Sequence, residues 1–365
     1  MSDHFIPTAA LHRWMVELWR AAGSGEREAT LTADQLVAAN LAGHDSHGVG
    51  VVPLYVRALL GGELQLNQTV EVAGGGGGLL VIDGRRGLGQ SVGFQAMEIA
   101  IEGARRHGVC VMGLRNAHHL GRIGHWAEQA TAKGLVSIHF TNATSAPAMV
   151  APYGGKQARF LTNPFTVGIP RAGREPILLD FATSTLALGK VRVAYNKKAK
   201  VPFGSLIDAQ GRPTDDPAVL FEPEEGPRGA LVPFAAHKGH ALAMVCELLG
   251  AALIGGRTTR PANITMKHAI WNNMLAIVFD PDRLGAGESF ETEARSFIEW
   301  VQSAPLSGAI DSILMPGDPE RRSRKARAAA VPIDSGTLAE LDEASSSIAR
   351  AKGGSPGLLS LLETP

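Results

Sequence analysis

Cysteine, an excess of one charge and long apolar runs are all scarce in this 365-residue sequence. Its two cysteines, Cys110 and Cys246, have no CxxC spacing and lie among apolar residues. They argue against a disulfide framework or a zinc ribbon and favour a reduced, cytoplasmic protein. Lys and Arg together number 35, as do Asp and Glu, so charge does not indicate binding to nucleic acid or to a membrane surface.

The sequence shows neither a signal peptide nor a membrane span. Its N-terminus lacks a basic stretch followed by an apolar one. The most apolar segment, 241–254, contains Glu247 and is too short to cross a bilayer. We expect this segment to be a buried helix and the protein to be soluble.

Apolar spacing is helical towards both ends of the chain, while the middle alternates between strand and helix patterns. Helices are predicted from Thr8 to Gly23, from residue 33 to Gly43, at 53–60 and at 335–352. In the middle, the predicted strands are 79–83, 109–114, 135–140, 166–169, 177–181 and 275–279. The predicted helices between them are 90–107, 120–133, 235–254 and 289–302. This alternation predicts an α/β layered sheet.

Two segments are predicted to be irregular. The five-glycine run 74–78 is interpreted as a flexible connection and a candidate domain boundary. The stretch 195–228 is rich in Pro, Gly and Asp and is interpreted as a long functional loop. The chain length also favours two domains.

Two histidine clusters are the strongest indication of chemistry. Residues 43–50 read GHDSHGVG, and residues 116–124 read NAHHLGRIG. Histidine titrates near neutral pH, so it suits proton transfer, and the small neighbours allow a substrate to approach. A zinc site would need three or four converging ligands, and a satisfied core histidine is the ordinary alternative. Because both clusters lie at helix ends beside Gly and Ser, we favour proton transfer and predict no metal.

A glycine turn resembles a dinucleotide fingerprint but departs from it. Strand 79–83 is followed by Gly87, Gly89 and Gly93, which is one residue longer than the usual spacing. The next strand ends without an acid that could hold a ribose hydroxyl. We therefore interpret the glycines as serving tight packing and disfavour a Rossmann enzyme.

Other polar residues lie where ligands bind in layered α/β folds. Asp180 and the hydroxyls of Thr183 and Ser184 follow a predicted strand end. His237 and Lys238 open a helix, where cations oppose the dipole unless they meet an anion such as a cofactor phosphate. The basic run 321–327 is interpreted as a solvated face or an inter-subunit contact.

Together these motifs resemble the malate/L-lactate dehydrogenase family of the non-Rossmann type. The resemblance covers nearly the whole chain and is carried by an ordered set of motifs. The matching residues are 43–49 with Pro53 and Tyr55, 116–121, 162–164, 179–184 with Gly189 and Lys190, Asp208 with Gly211, Pro213 and Thr214, and 237–239.

The resemblance implies a three-layer α/β/α fold with a mixed sheet of about seven strands. It also implies a helical domain made from both chain ends. On this basis we expect a helical N-terminal part at 1–75, an NAD(P)-binding α/β domain at 76–320 and a C-terminal helical part at 321–365 that packs with the N-terminal part. A homodimer with a shared active site is also implied.

The resemblance further implies NAD(P)-dependent reduction of 2-oxo acids to 2-hydroxy acids, and the reverse oxidation. His119 aligns with the acid/base, and His47 and Ser46 line the nicotinamide and substrate pocket. The residues aligned with dinucleotide contacts are His47, Gly121, Arg122, Ile123, Asp180, Phe181, Ala182, Thr183, Ser184, His237, Lys238, Asn272, Met315, Pro316, Gly317 and Asp318. A cyclic imine-2-carboxylate reductase and a catalytically silent dinucleotide-binding protein are the alternatives.

One departure affects substrate binding. Many members have a substrate-binding arginine where this chain has Val51. We expect Arg122 to replace it, because a helix through 120–133 would place it on the same side as His119. A surface position or a cofactor-phosphate contact are the alternatives for Arg122, and Arg57 is the next candidate for the carboxylate.

Overall fold

The secondary structure follows the predicted alternation. A computed structural model describes residues 3–223, 225–285, 287–308, 310–354 and 357. Its strands are β1 Asp3–Pro7, β2 Glu71–Gly76, β3 Leu79–Asp83, β4 Val109–His118, β5 Val136–Thr144, β6 Phe165–Arg171, β7 Arg174–Phe181, β8 Leu206–Ile207, β9 Pro213–Thr214, β10 Ala230–Leu231, β11 Trp271–Phe279 and β12 Ala330–Asp334. Its α-helices are α1 Thr8–Ala22, α2 Glu26–Leu41, α3 Val52–Leu60, α4 Gly89–His107, α5 Gly124–Thr131, α6 Leu188–Asn196, α7 His237–Gly250, α8 Gly287–Gln302, α9 Asp318–Arg327 and α10 Ser335–Lys352. Every predicted strand and helix is present, with shifted ends.

Seven strands form one mixed sheet in the order β2-β3-β4-β11-β5-β6-β7. The pair β3–β4 is parallel, and the other neighbours are antiparallel. Side chains alternate between the two faces of a strand, so opposite faces can hold different helices. On β4, Cys110 contacts Gly103 of α4, whereas Gly113 faces Ile254, just beyond α7. The predicted α/β/α layers and the seven-stranded mixed sheet are confirmed.

Helices from both chain ends share a second core. Residues of α1, α2 and α3 pack with Leu341 and Ile348 of α10, and β1 pairs antiparallel with β12. Trp14 and Trp19 are fully buried there. Each such large apolar side chain contributes roughly 1.5–3 kcal/mol on burial. The helical unit from both ends is therefore present, and it lies beside the ends of β4 and β11.

The prediction for the five-glycine run is wrong, and the prediction of a long loop at 195–228 holds for most of that stretch but not for two short strands. Glycines 74–76 belong to β2, which pairs with β3 as an edge strand, and only 77–78 form the turn. The stretch 195–228 contains β8 and β9, which form a small sheet with β10. Pattern reading failed because glycine gives no apolar alternation and two-residue strands have no periodicity.

The proposed domain boundaries stay predictions, and β2 runs across the one at 75/76. Residues 355, 356 and 358–365 of the predicted C-terminal part lie outside the described residues. Within the described chain, none of the helices combines the length and apolar character needed to cross a membrane.

Candidate active site

His119 lies where β4 ends and the chain turns towards α5. Its position is set by two backbone anchors on the next residue: Leu120 N–H donates to Asn272 Oδ1 (2.7 Å), and Leu120 C=O accepts from Gln35 Nε2 (2.7 Å). Gly121 then adopts a φ of 68°, a conformation that glycine takes without strain. Residues 119–122 are irregular and α5 begins at Gly124, so the predicted helical start at residue 120 is wrong.

The His119 ring is held through one nitrogen and leaves the other available. The Tyr55 hydroxyl lies 2.7 Å from His119 Nδ1 and 3.3 Å from the His119 carbonyl oxygen. Gln90 Nε2 donates to the Tyr55 oxygen at 3.1 Å. Nε2 of His119 has no hydrogen bond within the described part of the chain. It is the nitrogen that can exchange a proton with a substrate.

His47 is stacked on His119. Their ring centroids are 5.5 Å apart with an interplanar angle of 23°. Ser46 Oγ lies 3.0 Å from His47 Nδ1, so this ring too is held through Nδ1. Asn40 fixes the loop by accepting from Val49 N–H and donating to Asp45, both at 2.8 Å. The two sequence clusters thus meet in one site.

The site favours neutral histidines. Burial lowers the pKa of His47 to about 4, and repulsion from His44 contributes while Asp180 opposes it. Burial also lowers the pKa of His119 well below its usual value, with further contributions from His47 and His118. Both rings are therefore neutral at pH 7, and His119 is ready to accept a proton.

Arg122 is buried and already paired. Its Nη2 lies 2.5 Å from Glu128 Oε2, and its Nη1 lies 3.9 Å from Asp180 Oδ2. Only 2% of its side chain is exposed. The helix expected from residue 120 begins only at Gly124, and Glu128 holds one guanidinium nitrogen while Nε has no partner among the described residues. The assignment of the substrate carboxylate to Arg122 stays a prediction, without the helical geometry on which it was based.

Asp180 is also satisfied by the protein. Its Oδ1 accepts from Thr166 Oγ1 at 2.7 Å, and its Oδ2 accepts from Gly124 N–H at 2.8 Å. The side chain therefore anchors the start of α5 to β7. Asn272 is used in the same way, since it binds Leu120 N–H and donates to the Asn142 carbonyl.

The other predicted cofactor residues converge around the end of β7. Phe234 N–H donates to the Thr183 carbonyl, which links this segment to the start of α7 at His237. Leu178 N–H donates to the Pro316 carbonyl, which places Met315 to Asp318 beside the same strand. Among the described residues, neither His237 nor Lys238 forms an ion pair, and both are exposed at the α7 N-terminus. The amides of residues 238–240 already donate to the carbonyls of residues 234–236, so the group here that fits a dinucleotide phosphate is the unpaired ammonium of Lys238.

The glycine turn packs against the end of β4, which carries the second histidine cluster. A Cβ added at Gly89 would overlap the carbonyl oxygens of His118 and His119, and one at Gly93 would lie 2.6 Å from Trp126. The interpretation that these glycines serve tight packing is confirmed.

The basic run belongs to α9, whose residues Arg322 and Lys325 are exposed while two of its arginines pair with other elements, and an inter-subunit contact stays a prediction. Arg324 binds Glu128 at 2.5 Å and Arg327 binds Asp45 at 2.7 Å. Burial alone would raise the pKa of Glu128, but the two guanidiniums of Arg122 and Arg324 hold it below its usual range.

Sequence reasoning missed several residues that form hydrogen bonds around the two histidines. It also named Arg57 as a candidate for the substrate carboxylate, and the structure points Arg57 away from His119. Arg57 is exposed and lies two residues after Tyr55, about 200° around α3, so it points away from His119. Tyr55 was visible only as part of the family motif. Gln90, Gln35 and Glu128 carried no signal, since amides and acids are common in helices.

Within the described residues, no three His, Cys, Asp or Glu side chains form a group that could hold a metal.

Comparison with known proteins agrees with this architecture. The malate/L-lactate dehydrogenase family model matches residues 6–342. Hydroxycarboxylate dehydrogenase B of Escherichia coli K12 is 45% identical over 350 residues, which is 95% of each chain. L-lactate dehydrogenase of Cupriavidus necator is 40% identical over 80% of this chain and 83% of its own.

A solved structure gives the same result at the level of fold. Sulfolactate dehydrogenase from Methanocaldococcus jannaschii superposes with a TM-score of 0.85 at 30% identity, covering 99% of this chain and 100% of that one. The family match spans most of the chain and includes both histidine clusters. The chain therefore belongs to the malate/L-lactate dehydrogenase family of oxidoreductases.

Proposed function

We propose that this protein reduces 2-oxo acids to 2-hydroxy acids with NADH or NADPH and catalyses the reverse oxidation. The observation that carries the proposal is His119, whose Nδ1 is held by Tyr55 while Nε2 has no partner among the described residues. Its depressed pKa makes the neutral ring the resting form. A neutral imidazole with one free nitrogen is suited to take the proton of a substrate hydroxyl.

When bound, the dinucleotide supplies or accepts the hydride at the substrate carbon. His237 and Lys238 would bind its phosphates at the α7 N-terminus. The segments Gly121–Ile123, Phe181–Ser184 and Met315–Asp318 would contact it, largely through backbone groups, because the side chains of Arg122 and Asp180 are already engaged.

His119 handles the proton in both directions. During oxidation, its Nε2 accepts the proton of the substrate hydroxyl. During reduction, the imidazolium donates this proton to the carbonyl oxygen, and burial makes that imidazolium a strong acid. His47, oriented by Ser46, covers one face of the His119 ring and narrows the positions that a substrate can adopt.

We assign the substrate carboxylate to Lys190. A Cβ added at Gly189 would lie 2.5 Å from Ser46 Cβ, so the first turn of α6 contacts the His47 loop. Lys190 follows in that turn, is exposed and forms no ion pair within the described residues. A substrate carboxylate beside this loop would be stabilised by a cationic partner, and we propose Lys190 for the role that the sequence suggested for Arg122.

We further propose a cytoplasmic homodimer. Both cysteines are free and buried, which fits a reducing compartment. The outward face of α7 exposes Met244, Val245 and Leu248, although its inward face already packs on the sheet. A helix that is apolar all round is expected to be covered on all sides, and a second copy of this chain is the proposed cover.

Replacement of His119 tests the proposed function. A general acid or base contributes about a hundredfold to ten-thousandfold, so His119→Ala should lose that factor in turnover of 2-oxo acids. Binding of NAD(P)H, measured by fluorescence, should persist. His12→Ala, at an exposed histidine paired with Asp34, is the matched control.

The same assay separates the alternatives. The substrate panel should include 2-oxo acids and cyclic imine-2-carboxylates, each with both cofactors. Turnover of imines alone would replace the proposed substrate class, and cofactor binding without any turnover would indicate a silent protein. A His119→Ala variant that kept more than about a tenth of wild-type turnover would contradict the acid/base role.

A further inference from the structure

The neutral ring of His119 carries one proton, which can lie on Nδ1 or on Nε2. The hydrogen bonds around Tyr55 determine which nitrogen carries it. The Tyr55 oxygen lies 2.7 Å from His119 Nδ1 and 3.3 Å from the carbonyl oxygen of the same residue. Gln90 Nε2 donates to that Tyr55 oxygen at 3.1 Å. The phenol has a single proton, so it can donate to only one of its two neighbours on His119.

The two arrangements differ in what they leave at Nε2. If Tyr55 donates to Nδ1, the neutral ring carries its proton on Nε2 and cannot act as a base. If Tyr55 donates to the His119 carbonyl, Nδ1–H donates to the Tyr55 oxygen and the Nε2 lone pair stays free. Only the second arrangement also accommodates the imidazolium, in which both nitrogens carry protons.

We propose that Tyr55, supported by Gln90, is the positioning residue that holds His119 in the Nδ1–H tautomer and so keeps Nε2 ready as the catalytic base. This inference rests on the proposed function, which requires a free Nε2 lone pair, whereas the tautomer itself can be measured independently of activity. Tyr55 takes the place that a carboxylate has in many histidine-based sites. A closed loop results: Nδ1–H donates to the phenol, and the phenol donates to the His119 carbonyl.

The surroundings of Tyr55 fix its ring and keep its proton. The His118 ring packs edge-on against Tyr55 with centroids 4.7 Å apart and an interplanar angle of 86°. Trp19 lies on another side at 6.3 Å. Burial raises the pKa of Tyr55 well above its usual value, so it remains a neutral phenol and provides no negative charge to stabilise an imidazolium.

Burial is the largest cause of the lowered pKa of His119, and the neutral Tyr55 brings no negative charge that would oppose it. The titratable groups that face its ring are His47 from the first histidine loop, His118 on β4 and Tyr55 on α3. None of them is negatively charged at neutral pH, and both histidines lower the pKa of His119. A carboxylate in place of Tyr55 would raise it. The neutral phenol thus orients the base without converting it to the protonated form.

The direct test is the tautomer of the resting enzyme. In protein labelled with ¹⁵N in the histidine rings, with His119→Gln to assign the signal, wild type at pH 7 should show a protonated Nδ1 and an unprotonated Nε2 for His119. Tyr55→Phe removes the acceptor, so the proton should move to Nε2. Tyr153→Phe, at an exposed tyrosine, should leave the tautomer unchanged.

The kinetic test separates positioning from a merely structural role. Tyr55→Phe should lower kcat for 2-hydroxy acid oxidation by about tenfold to a hundredfold, with the KM of the cofactor unchanged. Because a hydrogen bond from Nδ1–H stabilises the imidazolium more than the neutral ring, its loss should move the acid limb of kcat/KM to lower pH. A structural defect alone would leave that limb in place.

Gln90→Met provides a second variant in case Tyr55→Phe folds poorly. It removes the donor to the phenol and should shift the tautomer partly in the same direction. An Nε2–H tautomer in wild type, or a tautomer and acid limb unaffected by both variants, would overturn the inference. If wild type shows the predicted tautomer but turns over no 2-oxo or 2-hydroxy acid, the proposed function fails and the role of Tyr55 in holding the tautomer stands.

Discussion

At the scale of single residues, burial and partner choice decide which polar groups are free to act. Arg122 and Asp180 have the right chemistry for ligand binding, but Glu128, Thr166 and Gly124 already use their atoms. His119 is half-buried, and its one hydrogen-bonded nitrogen leaves the other free. A functional side chain here is one that the protein orients without exhausting its hydrogen-bonding capacity.

Replacing Lys190 tests how the substrate carboxylate is held. Lys190→Met should raise the KM for 2-oxo acids by roughly tenfold or more, because a hydrogen bond between charged groups contributes about 1.5–3 kcal/mol, while the KM for NAD(P)H stays near wild type. Steady-state kinetics with each substrate varied in turn measures the split. Lys197→Met, at the exposed C-terminal end of the same helix, is the matched control. Weaker cofactor binding with an unchanged 2-oxo acid KM would instead assign Lys190 to the cofactor.

At the scale of elements, two helices hold the site: α4 packs closely against the end of β4, and α9 contacts the first histidine cluster. The N-terminus of α4 touches the His118 and His119 carbonyls through Gly89. The helix α9 holds the other cluster, since Glu320 binds His44 at 3.0 Å and Arg327 binds Asp45. The helix α9 begins at Asp318, so the proposed cofactor segment 315–318 is continuous in sequence with the helix that contacts the first histidine cluster.

A methyl group at Gly89 should therefore disturb catalysis more than folding. In Gly89→Ala the added Cβ overlaps the carbonyls of His118 and His119, so the strand end must move. Overpacking typically costs about 1–3 kcal/mol, and a displacement of about 1 Å at a reacting group can cost about a hundredfold in rate. We expect a turnover loss near that size with a moderate drop in Tm.

Gly76→Ala is the control for this substitution. Its Cβ would meet no atom within 4 Å, and it lies in an edge strand without positive φ. It should keep wild-type turnover. A Gly89→Ala variant with equally normal turnover would mean that His119 tolerates the shift or that α4 relaxes away from it.

At the scale of the whole molecule, the distribution of apolar surface is the unusual feature. The segment 241–254 is predicted to be buried, but Leu248 is 51% exposed and Leu253 68% exposed. The inward side chains of α7, including Ala243 and Cys246, do pack on the sheet. The prediction is wrong for the outward face, and an association of two copies would account for it.

Leu248→Glu tests this association. A charge at the centre of the outward α7 face should convert a dimer of twice the 38.4 kDa chain mass into a monomer, measured by light scattering after size exclusion. Leu284→Glu, at a residue 74% exposed and outside α7, should leave the mass unchanged. A wild-type monomer, or a dimer insensitive to Leu248→Glu, would exclude α7 as the interface.

The sequence by itself determined the layered α/β class, the strands of the main sheet and the two histidine clusters. Apolar periodicity is a local property, and the residues around His47 and His119 form contiguous, unusual runs. It also indicated that the turn at Gly87 to Gly93 serves packing, because its glycine spacing is one residue longer than that of a dinucleotide-binding turn.

Only the tertiary structure decided which partner each polar group meets. Tyr55 and His119 are 64 residues apart and Arg122 meets Asp180 across 58 residues, and no local pattern encodes such pairs. The helix expected at residue 120 yields to long-range bonds from Asn272 and Gln35, and Gly74 to Gly76 form a strand because β3 offers them a partner. Local propensity sets what a segment can form, whereas burial and hydrogen-bond satisfaction select what it does form.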